Sequence, residues 1–154
     1  MLKAMKSRRV RTRGGRFALI ASRYNARFTD ALVKSARATL KAAGAEIQVV
    51  RVPGAFEIPV VAARLARTAV PRLDAVICLG VVIRGETAHA DLIGRAVTDA
   101  LARIQFEHEI PVIHEVLLLD NEAQARARCL GEFNRGREAA ETALEMVAVM
   151  RGLS

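Results

Sequence analysis

The chain has no tryptophan, a single tyrosine, and an aromatic content of only 4%. A core must therefore be assembled from Ala, Val, Leu and Ile, which the 52% hydrophobic content supplies. No apolar run approaches the roughly 18–20 residues that cross a bilayer, so a transmembrane helix is not expected. Cysteine is equally scarce. Cys78 and Cys129 are the only two, too few for a disulfide framework, and Cys78 sits inside an apolar strand pattern as a small hydrophobe. A reducing, cytoplasmic setting is the expectation. His89, His108 and His114 are scattered without the spacing of metal ligands, so no metal is expected. Repeats and low-complexity linkers are absent, and 154 residues suit one domain.

Charge is unevenly placed. Residues 1–13 contain no acid but hold Lys3, Lys6, Arg8, Arg9, Arg11 and Arg13. Taking these six from the 24 basic residues leaves 18, against 16 acidic ones, so the body is nearly balanced while the whole chain carries +8. Residues 1–15 read as a basic, disordered arm and residues 16–154 as the folded domain. Such an arm can meet nucleic acid, a membrane surface or an acidic partner. A solvated extension ranks ahead of all three, and shortness and near-lack of serine argue against a transit peptide.

Four short apolar runs alternate with helical periodicity. Strands are predicted at Arg16–Ser22, Glu46–Val52, Ala75–Ile83 and Ile110–Leu119. Helices are predicted near Phe28–Ala43, from Glu57 to Thr68, from His89 to Glu107, from an Asn121 cap to Cys129, and over Arg137–Arg151. This βαβα order predicts an α/β sandwich around a largely parallel sheet, with helices on both faces. In such sheets ligands bind beyond the carboxyl ends of the strands. The chemistry-bearing segments all follow strands: Arg23-Tyr24-Asn25, Pro53–Glu57, Arg84–His89 and the turn after the fourth strand.

The most informative string is Val81–His89. A β-branched run ends at Gly85 and a helix starts at His89, so free N–H groups and the helix dipole form an anion site. An imidazole one turn away can give and take protons. Phosphate chemistry with proton transfer follows, although Gly85 and Thr87 also suit an ordinary turn and cap. In Val52–Pro59, Glu57 and neighbouring N–H groups suit a polyol chain, or simply an acidic first helical turn. Tyr24 at a strand end suits stacking on a flat heterocycle, or a core role. Arg128 suits either a phosphate or a solvated charged face.

Together, SRYN at 22–25, VPGAFEIP at 52–59, LGVVIRGETAH at 79–89, PVI at 111–113, NRG at 134–136 and ALEM at 143–146 closely resemble the lumazine synthase family. The resemblance covers residues 16–151. It implies a three-layer, flavodoxin-like sandwich with a four-stranded parallel sheet. It implies homo-pentamers, which in some members pair into decamers or close into 60-subunit shells, with sites between subunits and riboflavin synthase as a cargo partner. The implied reaction condenses a ribitylamino-pyrimidinedione with 3,4-dihydroxy-2-butanone 4-phosphate, without cofactor or metal.

The resemblance also implies roles. Tyr24, where the family usually has Phe, stacks on the pyrimidine. Ala55, Phe56 and Glu57 line the ribityl pocket, and Ile83 contacts the ring. Gly85, Glu86 and Thr87 hold phosphate with Arg128 of a neighbouring subunit, and His89 transfers protons. His114 stands where the family often has Phe beside the pyrimidine, adding a titratable group there. Arg135 replaces a common Lys, and Ala90 a common aromatic. The alternatives are a non-catalytic flavin- or lumazine-binding shell protein of the same fold and, from the basic arm, a nucleic-acid-associated particle.

Overall fold

The computed structural model describes residues 13–154. Most of the expected arm, residues 1–12, lies outside the described residues. Four strands, β1 (Arg16–Ser22), β2 (Glu46–Val52), β3 (Ala75–Ile83) and β4 (Val112–Leu119), are connected by α1 (Ala26–Ala42), α2 (Ile58–Thr68) and α3 (His89–His108). Helices α4 (Glu122–Cys129) and α5 (Arg135–Gly152) follow. All strand pairs are parallel, in the order β2-β1-β3-β4. The domain is the expected flavodoxin-like three-layer sandwich.

Alternation along the strands builds the layers. Phe17, Leu19 and Ala21 of β1 join Ile77 and Leu79 of β3 beneath α1, α4 and α5. Ala18, Ile20, Val76 and Cys78 pack on the other face against Ile58, Ala62, Val97 and Leu101 of α2 and α3. β1 and β3 are covered on both faces, so they read as continuous apolar runs. β2 is an edge strand, which explains its partly exposed pattern. Both thiols are buried, and burial pushes Cys78 up to about 12 and Cys129 to about 11.

Several ends move from their expected positions because of local polar chemistry. α1 starts at Ala26, not Phe28, because Asn25 adopts a left-handed φ of 58° and its carbonyl accepts the Phe28 and Thr29 N–H groups. α5 starts at Arg135, not Arg137, because Asn134 Oδ1 accepts the Gly136 N–H at 2.7 Å. β4 starts at Val112, after Pro111, which has no N–H to give the ladder. The helix expected from Glu57 resolves into a 3₁₀ turn over Ala55–Glu57 followed by α2.

The α4–α5 turn is clamped onto α1. Asn134 Nδ2 donates to the carbonyls of Ala31 (3.1 Å) and Cys129 (2.6 Å). This brings Gly136 so close that an added Cβ would lie 2.1 Å from the Leu32 carbonyl oxygen. Backbone, unlike a side-chain tip, cannot turn aside. Gly136→Ala is therefore expected to lower stability by about 3 kcal/mol or more, whereas Gly152→Ala, with nothing within 4 Å of its Cβ, changes little. Denaturant midpoints of the two variants test the contrast.

Glu115 faces α5 from β4. Burial lifts its carboxyl from 4.5 to about 7, with Arg135 opposing the rise and Glu138 adding to it. The folded chain thus holds this proton more tightly than the unfolded chain, so stability present below pH 4.5 is lost as pH rises through 7. Glu115→Gln is expected to remove that loss, raising stability at pH 8 by about 1–3 kcal/mol and leaving it little changed at pH 4. Denaturation midpoints at the two pH values measure this.

Candidate active site

The strand order places the reversal of winding between β1 and β3, the position where open parallel sheets leave a crevice at their carboxyl ends. Asn25 Nδ2 donates to the Val81 carbonyl at 2.7 Å and ties the turn after β1 to β3 across that crevice. The Arg23 and Tyr24 N–H groups donate to the carbonyls of Val52 (2.7 Å) and Pro53 (3.0 Å), binding the same turn to the end of β2. The backbone is fixed while the Tyr24 ring stays 75% exposed, and Phe56 is similarly exposed. Ala55 is buried and Glu57 half-buried. Glu57 Oε1 accepts the Gly54 N–H at 3.1 Å, so one carboxylate oxygen holds the turn and the other has no protein hydrogen bond among the described residues.

At the end of β3, Ile83 is half-buried and Gly85, Glu86, Thr87 and His89 are exposed. His89 is the first residue of α3, as expected. Thr87 does not cap the helix. Its Oγ1 accepts the His89 N–H at 3.3 Å, and the cap position falls on Ala88, whose side chain has no acceptor. First-turn N–H groups beyond His89 therefore remain available to an anion.

Arg84 falls in the segment that the sequence singles out, but its linking role is not foreseen there. Its N–H donates to the Leu119 carbonyl at 2.8 Å. Its guanidinium pairs with Asp120 at 2.9 Å and with Asp91 of the first turn of α3. It thus joins the ends of β3, β4 and α3 and offsets part of the charge of two carboxylates near the start of α3. Nothing in the spacing of Arg84, Asp91 and Asp120 along the chain distinguishes this cluster from ordinary surface charge. Ser22 also escaped notice. Its hydroxyl is buried without a partner among the described residues, against Gly80, where an added Cβ would come within 3.3 Å of it.

Two expected site residues are not brought to this end by the chain itself. His114 pairs with Cys78, whereas the end of β3, Ile83, pairs with Leu119. Five residues of strand, roughly 17 Å, separate them. His114 Nδ1 accepts the Val116 N–H at 3.2 Å, so Nε2 carries the proton of the neutral ring and donates to Thr98 Oγ1 at 2.8 Å. Burial lowers its pKa, favouring that neutral form. Arg128 is half-buried on α4, where it donates weakly to the Gln124 carbonyl. α4 packs with α1 and α5, on the face of the sheet opposite α3.

The chain is a flavodoxin-like α/β domain whose switch-point crevice carries exposed rings, a carboxylate, open helix N-terminal N–H groups and an imidazole. The chain belongs to the 6,7-dimethyl-8-ribityllumazine synthase family, whose sequence model matches residues 14–151. A 6,7-dimethyl-8-ribityllumazine synthase of Stenotrophomonas maltophilia is 45% identical over 142 residues, covering 90% of each chain. One of Kineococcus radiotolerans is 46% identical over 145 residues, covering 92% of this chain and 88% of its own. One of Salinibacter ruber is 45% identical over 141 residues and covers 89% of each. Among the described residues no helix is long and apolar enough to cross a membrane, and no three His, Cys, Asp or Glu side chains form a metal-binding group.

If the cradle holds a phosphate ester, the two carboxylates left unmasked by Arg84→Gln should repel it. Binding of a phosphate-bearing ligand is expected to weaken about tenfold, equivalent to roughly 1.4 kcal/mol. Adding Asp91→Asn and Asp120→Asn should recover most of the loss. Calorimetric titration of the single and triple variants checks both steps.

Proposed function

We propose that this chain forms 6,7-dimethyl-8-ribityllumazine from 5-amino-6-(D-ribitylamino)uracil and 3,4-dihydroxy-2-butanone 4-phosphate, in riboflavin biosynthesis. The observation that carries this reading is the Arg84–His89 segment, an open anion cradle running into an imidazole at the switch point. Similarity to lumazine synthases over about 90% of the chain favours catalysis over a binding-only shell protein.

The pyrimidine stacks on Tyr24 and meets Ile83. The ribityl hydroxyls meet the N–H groups around Ala55 and Phe56 and the free oxygen of Glu57. The phosphate occupies the cradle of Gly85, Glu86 and Thr87. The 5-amino group adds to the ketone carbonyl and water leaves to form an imine. Loss of a proton from carbon then expels inorganic phosphate. The ribitylamino nitrogen closes the second ring with loss of a second water. His89 is placed to take and return protons in these steps, an effect of about 10²–10⁴-fold at most. The substrates are intrinsically reactive, so holding them together supplies much of the acceleration.

On this reading Arg128 and His114 reach the crevice of an adjoining subunit within a homo-pentamer. The place of His114 five residues before the end of β4, and of Arg128 on the face of the sheet opposite α3, supports the arrangement. The conclusion is tested by phosphate release with both substrates, which must exceed the rate in buffer. His89→Ala and Arg128→Ala are expected to lose comparable activity, with Arg128→Ala raising the Michaelis constant of the phosphate substrate. Co-assembling the two inactive variants should restore roughly a quarter of activity, since a random mixture builds some sites from two intact halves. No recovery in mixed assemblies would place both residues in one subunit's site.

A further inference from the structure

On the flank of α1, running from the ends of β1 and β2 toward the end of the helix, a groove of about 420 Å³ is lined by Asp30, Val33, Lys34, Arg37, Ala38, Lys41 and Arg51. Four of these seven residues are cationic and one is acidic. Arg51 is the best anchored. From the edge strand β2 it pairs with Asp30 and reaches the Ser22 carbonyl and Thr29 Oγ1. The only acid in the groove is thus engaged by the innermost cation. Lys34, Arg37 and Lys41 have no ion-pair partner among the described residues. Their spacing of three and four residues puts them on one helical face, in a row about 10 Å long.

The row ends where the chain enters the fold. The Gly14 N–H donates to the Ala43 carbonyl at 2.7 Å, just beyond the end of α1. The carbonyl of Arg13, the residue before it, accepts from Arg151 of α5. Arg13 is the last of the six basic residues among the first thirteen.

We propose that this groove is a binding site for single-stranded nucleic acid, recognised through its phosphodiester backbone. An uninterrupted line of cations calls for an equally uninterrupted line of negative charge, which a phosphodiester chain carries at every residue and a polypeptide does not. The charges line a concavity, which a strand can enter and a bilayer surface cannot. The lining is aliphatic and charged, with no aromatic side chain, so contact is to phosphates alone, which carry no sequence information. The site is separate from the anion cradle of α3 and does not depend on the proposed reaction.

The test is anisotropy of a labelled polyuridine oligonucleotide with the full chain, titrated over about 50–300 mM salt. Neutralising three phosphate contacts in the variant Lys34→Gln, Arg37→Gln, Lys41→Gln should flatten the slope of log K against log salt by about 2 and weaken binding at least about tenfold at low salt. A charge-matched control, Arg64→Gln, Arg67→Gln, Arg103→Gln on α2 and α3, should bind nearly as the unaltered chain does. Circular dichroism and the thermal midpoint of each variant verify that it is folded. An unchanged slope in the groove variant overturns the proposal, as does an equal loss in the control, which would make net charge the cause. Binding to phosphatidylserine vesicles without binding to the oligonucleotide overturns it too.

Discussion

The hydrogen bond from Asn25 to the Val81 carbonyl is the contact on which the crevice depends. Its net worth is about 1 kcal/mol, but its position matters more than its strength. Strands β1 and β3 are neighbours, yet the chain leaves them in opposite directions across the sheet, and nothing covalent controls the turn that emerges between them. Asn25 performs two tasks at this point. Its backbone takes the left-handed conformation that starts α1, and its side chain fastens the turn to β3. Glycine can do the first and not the second. With the turn held, Tyr24 projects from a rigid backbone, and an exposed ring becomes a fixed surface.

At the other side of the crevice, stability and ligand binding pull in opposite directions. Asp91 in the first turn of α3 suits the helix dipole, and Asp120 lies at the end of β4. Both carry the wrong sign for a cradle that is to receive phosphate. The guanidinium of Arg84 reconciles the two demands by pairing with each acid. Lysine would supply the charge without the two-sided fork that lets one group meet carboxylates on two elements. Glu57 resolves a similar conflict by dividing its oxygens, one for the Gly54 turn and one outward.

Periodicity made the architecture legible. The runs of Ala18–Ala21 and Ala75–Val81 are apolar without alternation because both faces are covered, and that identifies central parallel strands before any coordinates exist. His89 at the start of α3 was legible for the same reason, since the helical pattern begins there. The ends of α1 and α5 were not, because Asn25 and Asn134 act through side-chain and left-handed geometry that periodicity does not register. Arg84 was invisible as a linker, because its partners lie 7 and 36 residues away and meet only when β4 aligns with β3. His114 and Arg128 show the remaining limit. Motif resemblance assigns them to a site, but the fold of one chain puts His114 well before the end of β4 and Arg128 on the face opposite α3.

That separation constrains how chains assemble on the proposed reading. The crevice half of the site opens at the strand ends beside α3, whereas Arg128 lies on α4, across the sheet. The Arg128 donor surface and the receiving crevice thus occupy different sides of one molecule, with His114 on the edge strand β4 between them. A contact joining unlike surfaces is heterologous, and it propagates from chain to chain until rotation brings the last copy back to the first. A ring satisfies every half-site, whereas an open string leaves one crevice and one Arg128 unmatched at its ends. The angle between the two surfaces, rather than the chemistry of the crevice, then sets how many chains complete the circle.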